Sequence, residues 1–491
     1  MFVKGVKMKY IVALDEGTTS TRAVIYNLDK RKIEKVKNVA IKQYYPAPGY
    51  VEESATEIYS STMAVLVDAI ETVGPASVVG IGVTNQRESV IAWERSTGKP
   101  LYNAIIWQCR RTMDYCSEIE GLYGNMIKRK TGLKVDSYFS ASKMRWLINN
   151  VSEVKGALER NDLCLGTIES FLIFKLTGGK VFVSDYTNAS RTMLYNINTM
   201  EWDDELLSLF GIPKKVLPEV VAPDIVYGEF EYGGKKIPIA GSAGDQQSAA
   251  IGQGCFDVGS AKMTYGTGMF MLANVGDEFK NSPSLLTTLG YSKKPVYMFE
   301  GSVFNAGSAV QWLRDELEFF KNSKDSEKLA LSVDSTGGVY VVPAFTGLGS
   351  PYWRSDVSGL ITGITRGTNK GHITRAVLES MAYSARDLID IMEREGGVKL
   401  DKLRVDGGAS QNNFLMQFQS DVINVPVDRP VERESTALGA VYLCEIALGI
   451  NSLEEISNSR VSERVFAPDK NREKYEKMYD GWKNAVKRCL L

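Results

Sequence analysis

The sequence predicts an α/β protein built on open sheets, and three observations lead to this class. Strand-like runs alternate with helical stretches, for example residues 10–14, 56–70 and 77–83. A Gly-Thr turn between two strand-like runs occurs twice, near residue 17 and near residue 267. A chain of 491 residues has room for two large domains. We therefore expect two similar domains, divided in the glycine-rich stretch 252–259 into residues 1–253 and 254–491.

Each element follows from its hydrophobic period and from the residues that end it. Short apolar or alternating runs that stop at polar turns predict strands at residues 10–14, 22–28, 77–83, 261–265 and 269–274. Apolar residues at helical spacing predict helices at 56–70, 246–251 and 413–422. A longer helix begins at His372 and ends at Gly396-Gly397, and the last helix carries an apolar stripe from Tyr475 to Val486. We interpret both stripes as packing faces.

Composition and charge exclude several classes of function. Lysine and arginine number 58 against 59 aspartates and glutamates, so the net charge of −1 gives no bulk attraction to nucleic acid or to an anionic membrane. The single histidine, His372, excludes metal sites built from several histidines. Six scattered cysteines without a Cys-x-x-Cys pair are typical of reduced thiols. No apolar run approaches the roughly 20 residues of a membrane span, so we expect a cytoplasmic protein without membrane insertion.

The first Gly-Thr turn has the features of a phosphate site. Its small residues let backbone N–H groups approach an anion, and the hydroxyls of Thr18, Thr19 and Ser20 add donors. Asp15, at the end of the preceding strand, can hold Mg²⁺ through water, and Arg22 adds a positive charge. An ordinary polar hairpin turn is the alternative explanation of these residues.

Two later glycine-containing turns are also compatible with a nucleotide. The second Gly-Thr turn, Gly266-Thr267-Gly268, can bind phosphate as the first one can. The pair Gly407-Gly408 leaves room for a flat group against the backbone, although it also suits a plain strand-to-helix turn. The sequence contains neither a Gly-x4-Gly-Lys-Ser/Thr loop nor a complete dinucleotide fingerprint.

Polar residues that follow predicted strands form a second group, because α/β proteins place ligands at such ends. Arg87 and Glu88 can bind vicinal hydroxyls, since arginine donates and glutamate accepts hydrogen bonds. Trp107 can cover the C–H face of a polyol. A surface ion pair and a core aromatic are the alternatives for these three. Asp245 opens a helix, where a carboxylate is stabilised as the anion, and an N-cap aspartate is the alternative there.

Taken together, these residues resemble the FGGY family of carbohydrate kinases from about Lys9 to the C-terminal region. The matching segments are 13–20, 84–88, 106–111, 185–193, 243–247, 265–270, 343–352, 405–408 and 413–421, with 138–150 and 359–379 similar to the two family signatures. The resemblance implies two actin-like, ribonuclease-H-like α/β domains facing a central cleft. The N-terminal domain would bind polyol and phosphate, and the C-terminal domain would bind the nucleotide.

The resemblance also assigns roles to individual residues. It implies ATP and Mg²⁺ as cofactors, with Asp245 as general base in a direct in-line phosphoryl transfer, and homodimers or homotetramers as assemblies. The substrate-binding residues would be Arg87, Glu88, Trp107, Tyr138, Asp245, Gln246 and Phe270. The nucleotide would be held by Thr18, Thr19, Ser20, Arg22, Thr267, Gly307, Gln311, Gly408 and Asn412, and Mg²⁺ would lie nearest Asp15 and Asp245.

Two segments narrow the substrate within the family. Pentulose kinases typically carry Gly-Gln-x-His-Gly where this chain has Asn85-Gln86-Arg87-Glu88-Ser89. With residues 107–111, that difference favours glycerol as substrate and sn-glycerol 3-phosphate as product. A family kinase acting on a pentulose, a tetritol or dihydroxyacetone is the main alternative, and a catalytically inactive polyol or nucleotide sensor is the second.

Overall fold

A computed structural model of the chain describes residues 8–292, 294–354 and 356–491. The strands are, in chain order, β1 (Tyr10–Glu16), β2 (Ser20–Asn27), β3 (Lys32–Ala40), β4 (Gln43–Tyr44), β5 (Glu52–Glu53), β6 (Val78–Asn85), β7 (Val90–Glu94), β8 (Ala104–Ile105), β9 (Leu163–Thr167), β10 (Val183–Asp185), β11 (Tyr195–Asn196), β12 (Glu201–Trp202), β13 (Glu219–Val221), β14 (Val226–Tyr232), β15 (Lys235–Gly244), β16 (Ser260–Tyr265), β17 (Met269–Gly276), β18 (Leu286–Tyr291), β19 (Pro295–Val303), β20 (Tyr340–Val342), β21 (Leu360–Thr362), β22 (Lys402–Gly407), β23 (Val427–Pro430) and β24 (Ser462–Phe466).

The helices alternate with these strands, as the sequence predicts. They are α1 (Ala55–Val73), α2 (Met113–Thr131), α3 (Ser140–Asn150), α4 (Ser152–Glu159), α5 (Ile168–Leu176), α6 (Tyr186–Ala189), α7 (Asp204–Phe210), α8 (Asp245–Gly252), α9 (Gly307–Asp315), α10 (Asp325–Ala330), α11 (Lys370–Gly396), α12 (Asn413–Ile423), α13 (Ser435–Ala447), α14 (Leu453–Ser459) and α15 (Arg472–Cys489). Each strand and helix predicted above is present, with ends that differ by a few residues.

The chain folds into two compact units. The first unit contains the residues up to Gly254, together with Thr288–Pro295 and Glu434–Ser459. The second unit contains Cys255–Thr287, Val296–Arg433 and Arg460–Leu491. The first unit thus takes two helices, α13 and α14, from the C-terminal part of the chain.

The first unit is built on a six-stranded sheet with the order β14-β15-β6-β1-β2-β3. Strand β1 pairs antiparallel with β2 and parallel with β6, and β6 pairs parallel with β15. Helices α1 and α13 both pack against β1, and every residue of this strand is buried. A strand covered on both faces is a continuous apolar run, which is why residues 10–14 lack alternation. A second sheet, β4-β5-β8-β7-β9, packs around the buried Trp93.

Helices α8 and α13 cross closely within the first unit. A Cβ atom on Gly439 would lie 1.9 Å from the carbonyl oxygen of Ser248, and one on Gly252 would lie 2.0 Å from that of Ser435. Only glycine fits at such a crossing, because any side chain would overlap the backbone of the other helix. This contact fixes α8, whose first residue is Asp245.

The second unit repeats the strand order of the first. Its seven-stranded sheet has the order β18-β19-β17-β16-β22-β23-β24, with β16 antiparallel to β17 and parallel to β22. The long helix α11 packs on this unit's core with its apolar stripe, as predicted. His372 receives a hydrogen bond at Nδ1 from the backbone of Asn369 and completes the N-terminal cap of α11. The single histidine therefore has a structural role.

Two further expectations concern the cysteines and the membrane. All six cysteines are free thiols. Among the helices in the described residues, none combines the length and the apolar character that crossing a membrane requires.

Candidate active site

Arg87 and Glu88 follow the end of β6 and lie inside the first unit. Their side chains are 3% and 2% exposed, so the surface ion pair considered above is wrong. The Nε atom of Arg87 is 3.2 Å from Oδ1 of Asp245 and 3.8 Å from Oε1 of Glu88. Glu88 has a backbone φ of +64°, in the left-handed region that non-glycine residues rarely adopt. Backbone strain of this kind is concentrated at functional sites.

Asp245 is the first residue of α8, and its position differs from the N-cap alternative. The N-cap position is occupied by Gly244, and Oδ1 of Asp245 accepts a hydrogen bond of 2.7 Å from the backbone of Gln246. The Asp245 side chain is 34% exposed, so it is accessible to a ligand. A Cβ atom on Gly244 would lie 2.6 Å from Cγ of Arg87, so this glycine leaves the space in which Arg87 reaches Asp245.

Trp107 and Tyr138 form an aromatic corner beside these charges. Their rings meet edge to face with centroids 5.7 Å apart. The indole Nε1 of Trp107 donates a hydrogen bond of 2.9 Å to Oγ1 of Thr18, and its backbone N–H donates one of 3.1 Å to Oγ of Ser89. Trp107 therefore joins the first Gly-Thr turn to the Arg87-Glu88 loop. Trp107 and Tyr138 are only partly buried, so part of each side chain is exposed.

The first Gly-Thr turn carries a chain of charges. Arg22 lies between two carboxylates, with its guanidinium 2.8 Å from Asp15 and 2.9 Å from Glu434. The turn is closed by a hydrogen bond from the backbone of Gly17 to the carbonyl of Ser20. The hydroxyl-bearing residues at its tip, Thr18, Thr19 and Ser20, are exposed or partly exposed. The positive charge predicted at Arg22 is thus shared with two acids.

Asp15 is a buried carboxylate whose pKa is raised. Burial raises the pKa of Asp15 to about 6, against the lowering effect of Arg22, and the charges of Asp245 and Glu434 add to the rise. Asp15 and Asp245 are thus close enough to interact, and a cation near both would relieve their repulsion. No group of three or more potential metal ligands exists among the described residues. Two carboxylates suit Mg²⁺, which takes one or two of them together with waters and substrate phosphates.

The second Gly-Thr turn is formed by backbone contacts in the second unit. Thr267 is exposed at its tip, and its carbonyl accepts hydrogen bonds from the backbone of Ala306 and Ser308, at the start of α9. A Cβ atom on Gly307 would lie 2.4 Å from the carbonyl oxygen of Gly266. The structure thus brings Thr267 and Gly307 together by close backbone approach. Gln311 is exposed on the same helix.

Three other predicted residues also lie in the second unit. Gly408 follows β22 and is exposed, and a Cβ atom there would meet no heavy atom within 4 Å. Asn412 caps α12 by accepting a hydrogen bond of 2.9 Å from the backbone of Leu415. Phe270 lies on β17 with a partly buried side chain. The space beside Gly408 is open, as the prediction of a flat group against this backbone requires.

Two residues of the first unit have no role in the sequence-based site, although both contact it. Glu434 binds Arg22 from a position 412 residues away in the chain, and no local motif marks it. Arg191 lies in the segment 185–193 and binds Glu88 at 2.6 Å. The position of Arg191 inside a matching segment is a weak sequence signal for its contact with Glu88. The contact of Glu434 with Arg22 can be seen only in the folded structure.

Each unit contains a mixed sheet with a Gly-Thr hairpin, and the two sheets share one strand order. These features define a two-domain α/β protein of actin-like fold. Residues 10–252 match the N-terminal domain of the FGGY family of carbohydrate kinases, and residues 261–448 match its C-terminal domain. The chain belongs to this family, and it is an enzyme of the kinase class.

Its relatives share nearly the whole chain. It is 50% identical to the glycerol kinase of Thermus thermophilus over 98% of this chain and 99% of that protein, and 50% identical to that of Bacillus subtilis (strain 168) over the same shares. The crystal structure of Plasmodium falciparum glycerol kinase with ADP superposes with a TM-score of 0.94 at 38% identity and covers 99% of each chain.

Proposed function

We propose that this chain transfers the γ-phosphoryl group of ATP to a terminal hydroxyl of glycerol and forms sn-glycerol 3-phosphate. The observation that carries the proposal is the convergence of Arg87, Glu88 and Asp245 beside the Trp107–Tyr138 corner. Relatives that are about 50% identical over nearly their whole length are glycerol kinases, and this similarity supports the proposal.

The donor and acceptor groups suit a small polyol. Arg87 donates hydrogen bonds and Glu88 accepts them, so together they satisfy two adjacent hydroxyls. The partly exposed rings of Trp107 and Tyr138 cover the carbon edge. A site that hydrogen-bonds each hydroxyl rejects analogues that lack one, because its own polar groups would then stay unpaired. In this proposal Gln246 and Phe270 complete the contacts to glycerol.

Asp245 is proposed as the group that orients the attacking hydroxyl and accepts its proton. The hydroxyl oxygen forms a bond to the γ-phosphorus while the bond from that phosphorus to the β,γ-bridging oxygen breaks and ADP leaves. Arg87 binds Oδ1 of Asp245 at 3.2 Å, so this carboxylate is held in position before the substrate arrives. A loose phosphoryl-transfer transition state needs little help from a base, so orientation is the larger task.

The nucleotide is proposed to contact both Gly-Thr turns. Arg22 and the hydroxyls of Thr18, Thr19 and Ser20 would bind phosphate oxygens from the first unit. The second unit would contribute Thr267, Gly307, Gln311, Gly408 and Asn412. Asp15 and Asp245 would hold Mg²⁺, which supplies positive charge to the phosphate oxygens. Preorganised donors at the turns stabilise the charge that develops on the transferred group.

A coupled assay of ADP release tests the proposal. Purified chain with MgATP is offered glycerol, dihydroxyacetone, D-xylulose and D-gluconate in parallel, and the product is located by ³¹P and ¹³C NMR. We expect a rate selective for glycerol, with phosphate on a terminal carbon. A higher kcat/KM on a sugar would retain the phosphoryl chemistry and overturn the polyol site. Binding of glycerol and ATP without turnover of any acceptor would favour a sensor.

A further inference from the structure

Arg191 lies behind Glu88, outside the set of residues expected to touch the substrate. Its side chain is wholly buried. Its Nε atom donates a hydrogen bond of 2.6 Å to Oε1 of Glu88. The same guanidinium lies 5.9 Å from the ring centroid of Tyr138 and 5.2 Å from that of Phe139. One buried cation therefore contacts two side chains of the proposed polyol site.

Stability alone does not explain a buried pair of this kind. Removing two charges from water is expensive, and replacing a buried ion pair by apolar residues is often neutral or stabilising. What the pair does supply is orientation, since a charge-assisted hydrogen bond is short and directional. The bond from Arg191 therefore fixes the direction of the Glu88 carboxylate.

The backbone around Glu88 is also fixed in an uncommon conformation. Glu88 has its φ of +64°, its carbonyl accepts a hydrogen bond of 3.1 Å from Oγ of Ser140, and the backbone of Ser89 donates one of 2.8 Å to the carbonyl of Arg87. A strained residue keeps its conformation only when its surroundings determine it. The backbone bonds fix the main chain of Glu88, and Arg191 fixes its side chain.

The Tyr138 loop is fixed by a second buried cation. The ammonium group of Lys143 donates hydrogen bonds to the carbonyls of Ser137, Tyr138 and Phe139 at 2.9, 2.5 and 2.8 Å. Lys143 thus holds the backbone of this loop, while Arg191 contacts its rings. Both side chains are wholly buried, so we infer that they act by placing other groups.

We propose that Arg191 is a positioning residue for the polyol, which acts through Glu88. The guanidinium holds the Glu88 carboxylate turned so that it accepts a hydrogen bond from a substrate hydroxyl. This inference rests on the proposed function, since it deepens the account of the same site. It predicts an effect on the polyol KM that spares the ATP KM.

The test compares Arg191→Met and Arg191→Lys with the parent enzyme. We expect Arg191→Met to raise the glycerol KM about 10- to 100-fold, because a hydrogen bond to a charged group is lost. The ATP KM should stay within about twofold, and Arg191→Lys should restore part of the loss. The control is Arg375→Lys in the second unit, where a partly buried Arg375 lies 2.9 Å from the buried Glu379. This control should leave the glycerol KM unchanged.

A double-mutant cycle decides whether Arg191 acts through Glu88. Glu88→Gln and the double variant Glu88→Gln/Arg191→Met should have glycerol KM values within about twofold of each other, because the partner is already lost. In Arg191→Met the buried Glu88 carboxylate loses its arginine partner, which can impair folding. The double variant has no charge at residue 88, so the test can still be made if Arg191→Met folds poorly.

Two results would overturn the inference. One is a glycerol KM that Arg191→Met leaves within twofold of the parent value. The other is a rise in glycerol KM on adding Arg191→Met to Glu88→Gln that is as large as the rise on adding it to the parent enzyme. Failure of the proposed function would be distinguishable, since the parent enzyme would then not phosphorylate glycerol at all.

Discussion

The two Gly-Thr turns occupy the same place in two sheets of the same strand order, yet they are built differently. In the first unit Asp15 lies opposite Arg22 across the hairpin, and these residues form an ion pair. In the second unit the facing pair is Thr264 and Phe270. The strand order therefore places the turn, while the residues at the strand ends decide whether it carries charge.

The second unit obtains its turn from close backbone approach instead. A Cβ atom on Gly268 would lie 2.5 Å from the carbonyl oxygen of Val303, and one on Gly407 would lie 2.3 Å from that of Tyr265. A turn with such contacts is built from the backbone, without a charged side chain at the facing pair. The turn of the first unit thus carries charged side chains, whereas that of the second unit is built from glycines. Substitutions of charged residues and of glycines should therefore affect catalysis and stability differently.

The largest effect is expected at Asp245 in the charged unit. Asp245→Asn should lower kcat by a factor of about 10²–10⁴, because the group that orients the hydroxyl and takes its proton is lost. The fold should survive, since this side chain is one-third exposed. Steady-state kinetics with glycerol and MgATP measure the loss. Asp68→Asn, on an exposed part of α1, is the matched control. A kcat near that of the parent would refute the assignment.

The next effect tests the glycines of the second unit. Gly407→Ala should lower the free energy of unfolding by about 3 kcal/mol, because alanine is strained at a φ of +86° and its Cβ would overlap Tyr265. Gly408→Ala meets no neighbour, so its stability should change by less than about 0.5 kcal/mol. Urea denaturation measures both.

Gly408→Ala also serves as a probe of the nucleotide. If a flat group lies against this backbone, the alanine should raise the ATP KM and leave the glycerol KM unchanged. An ATP KM equal to that of the parent would place the nucleotide elsewhere.

The contrast between the units also shows what the sequence could predict. Both hairpins and the helices between them follow from hydrophobic period and turn residues, which are local signals. The family resemblance was carried by motifs at strand ends, and the matches to both family domains confirm it. The individual site residues remain predictions, although the first unit does bring Arg87, Glu88, Asp245 and Trp107 together.

The parts that the sequence could not predict depend on contacts distant in the chain. Glu434 meets Arg22 only because α13 returns from the C-terminal part of the chain to the first unit. Arg191 meets Glu88 across 103 residues. The burial of Arg87 and Glu88 was also missed, because an adjacent arginine and glutamate are typical of a surface. Long-range pairing leaves no periodic signal in one sequence.

A smaller effect concerns Lys143, one of the buried cations of the first unit. Burial lowers the pKa of Lys143 to about 8, from an ordinary value of 10.5. The folded chain therefore binds fewer protons than the unfolded chain between these values, and stability rises with pH in that window. Relative to Lys143→Met, the parent should gain about 2 kcal/mol between pH 7 and pH 9.5. Urea denaturation of both proteins at the two pH values checks this, and a difference that does not change with pH would contradict it.

The smallest effect is expected at Glu434, the second acid bound to Arg22. Both side chains are about one-third exposed, so Glu434→Gln should change stability by less than about 1 kcal/mol. When this carboxylate is removed, Arg22 keeps its ion pair with Asp15, and more of its positive charge is then available to phosphate. The ATP KM should therefore fall by about twofold, whereas Arg22→Gln should raise it. A several-fold rise in Glu434→Gln would show that Glu434 holds Arg22 in place for the nucleotide instead of competing with it.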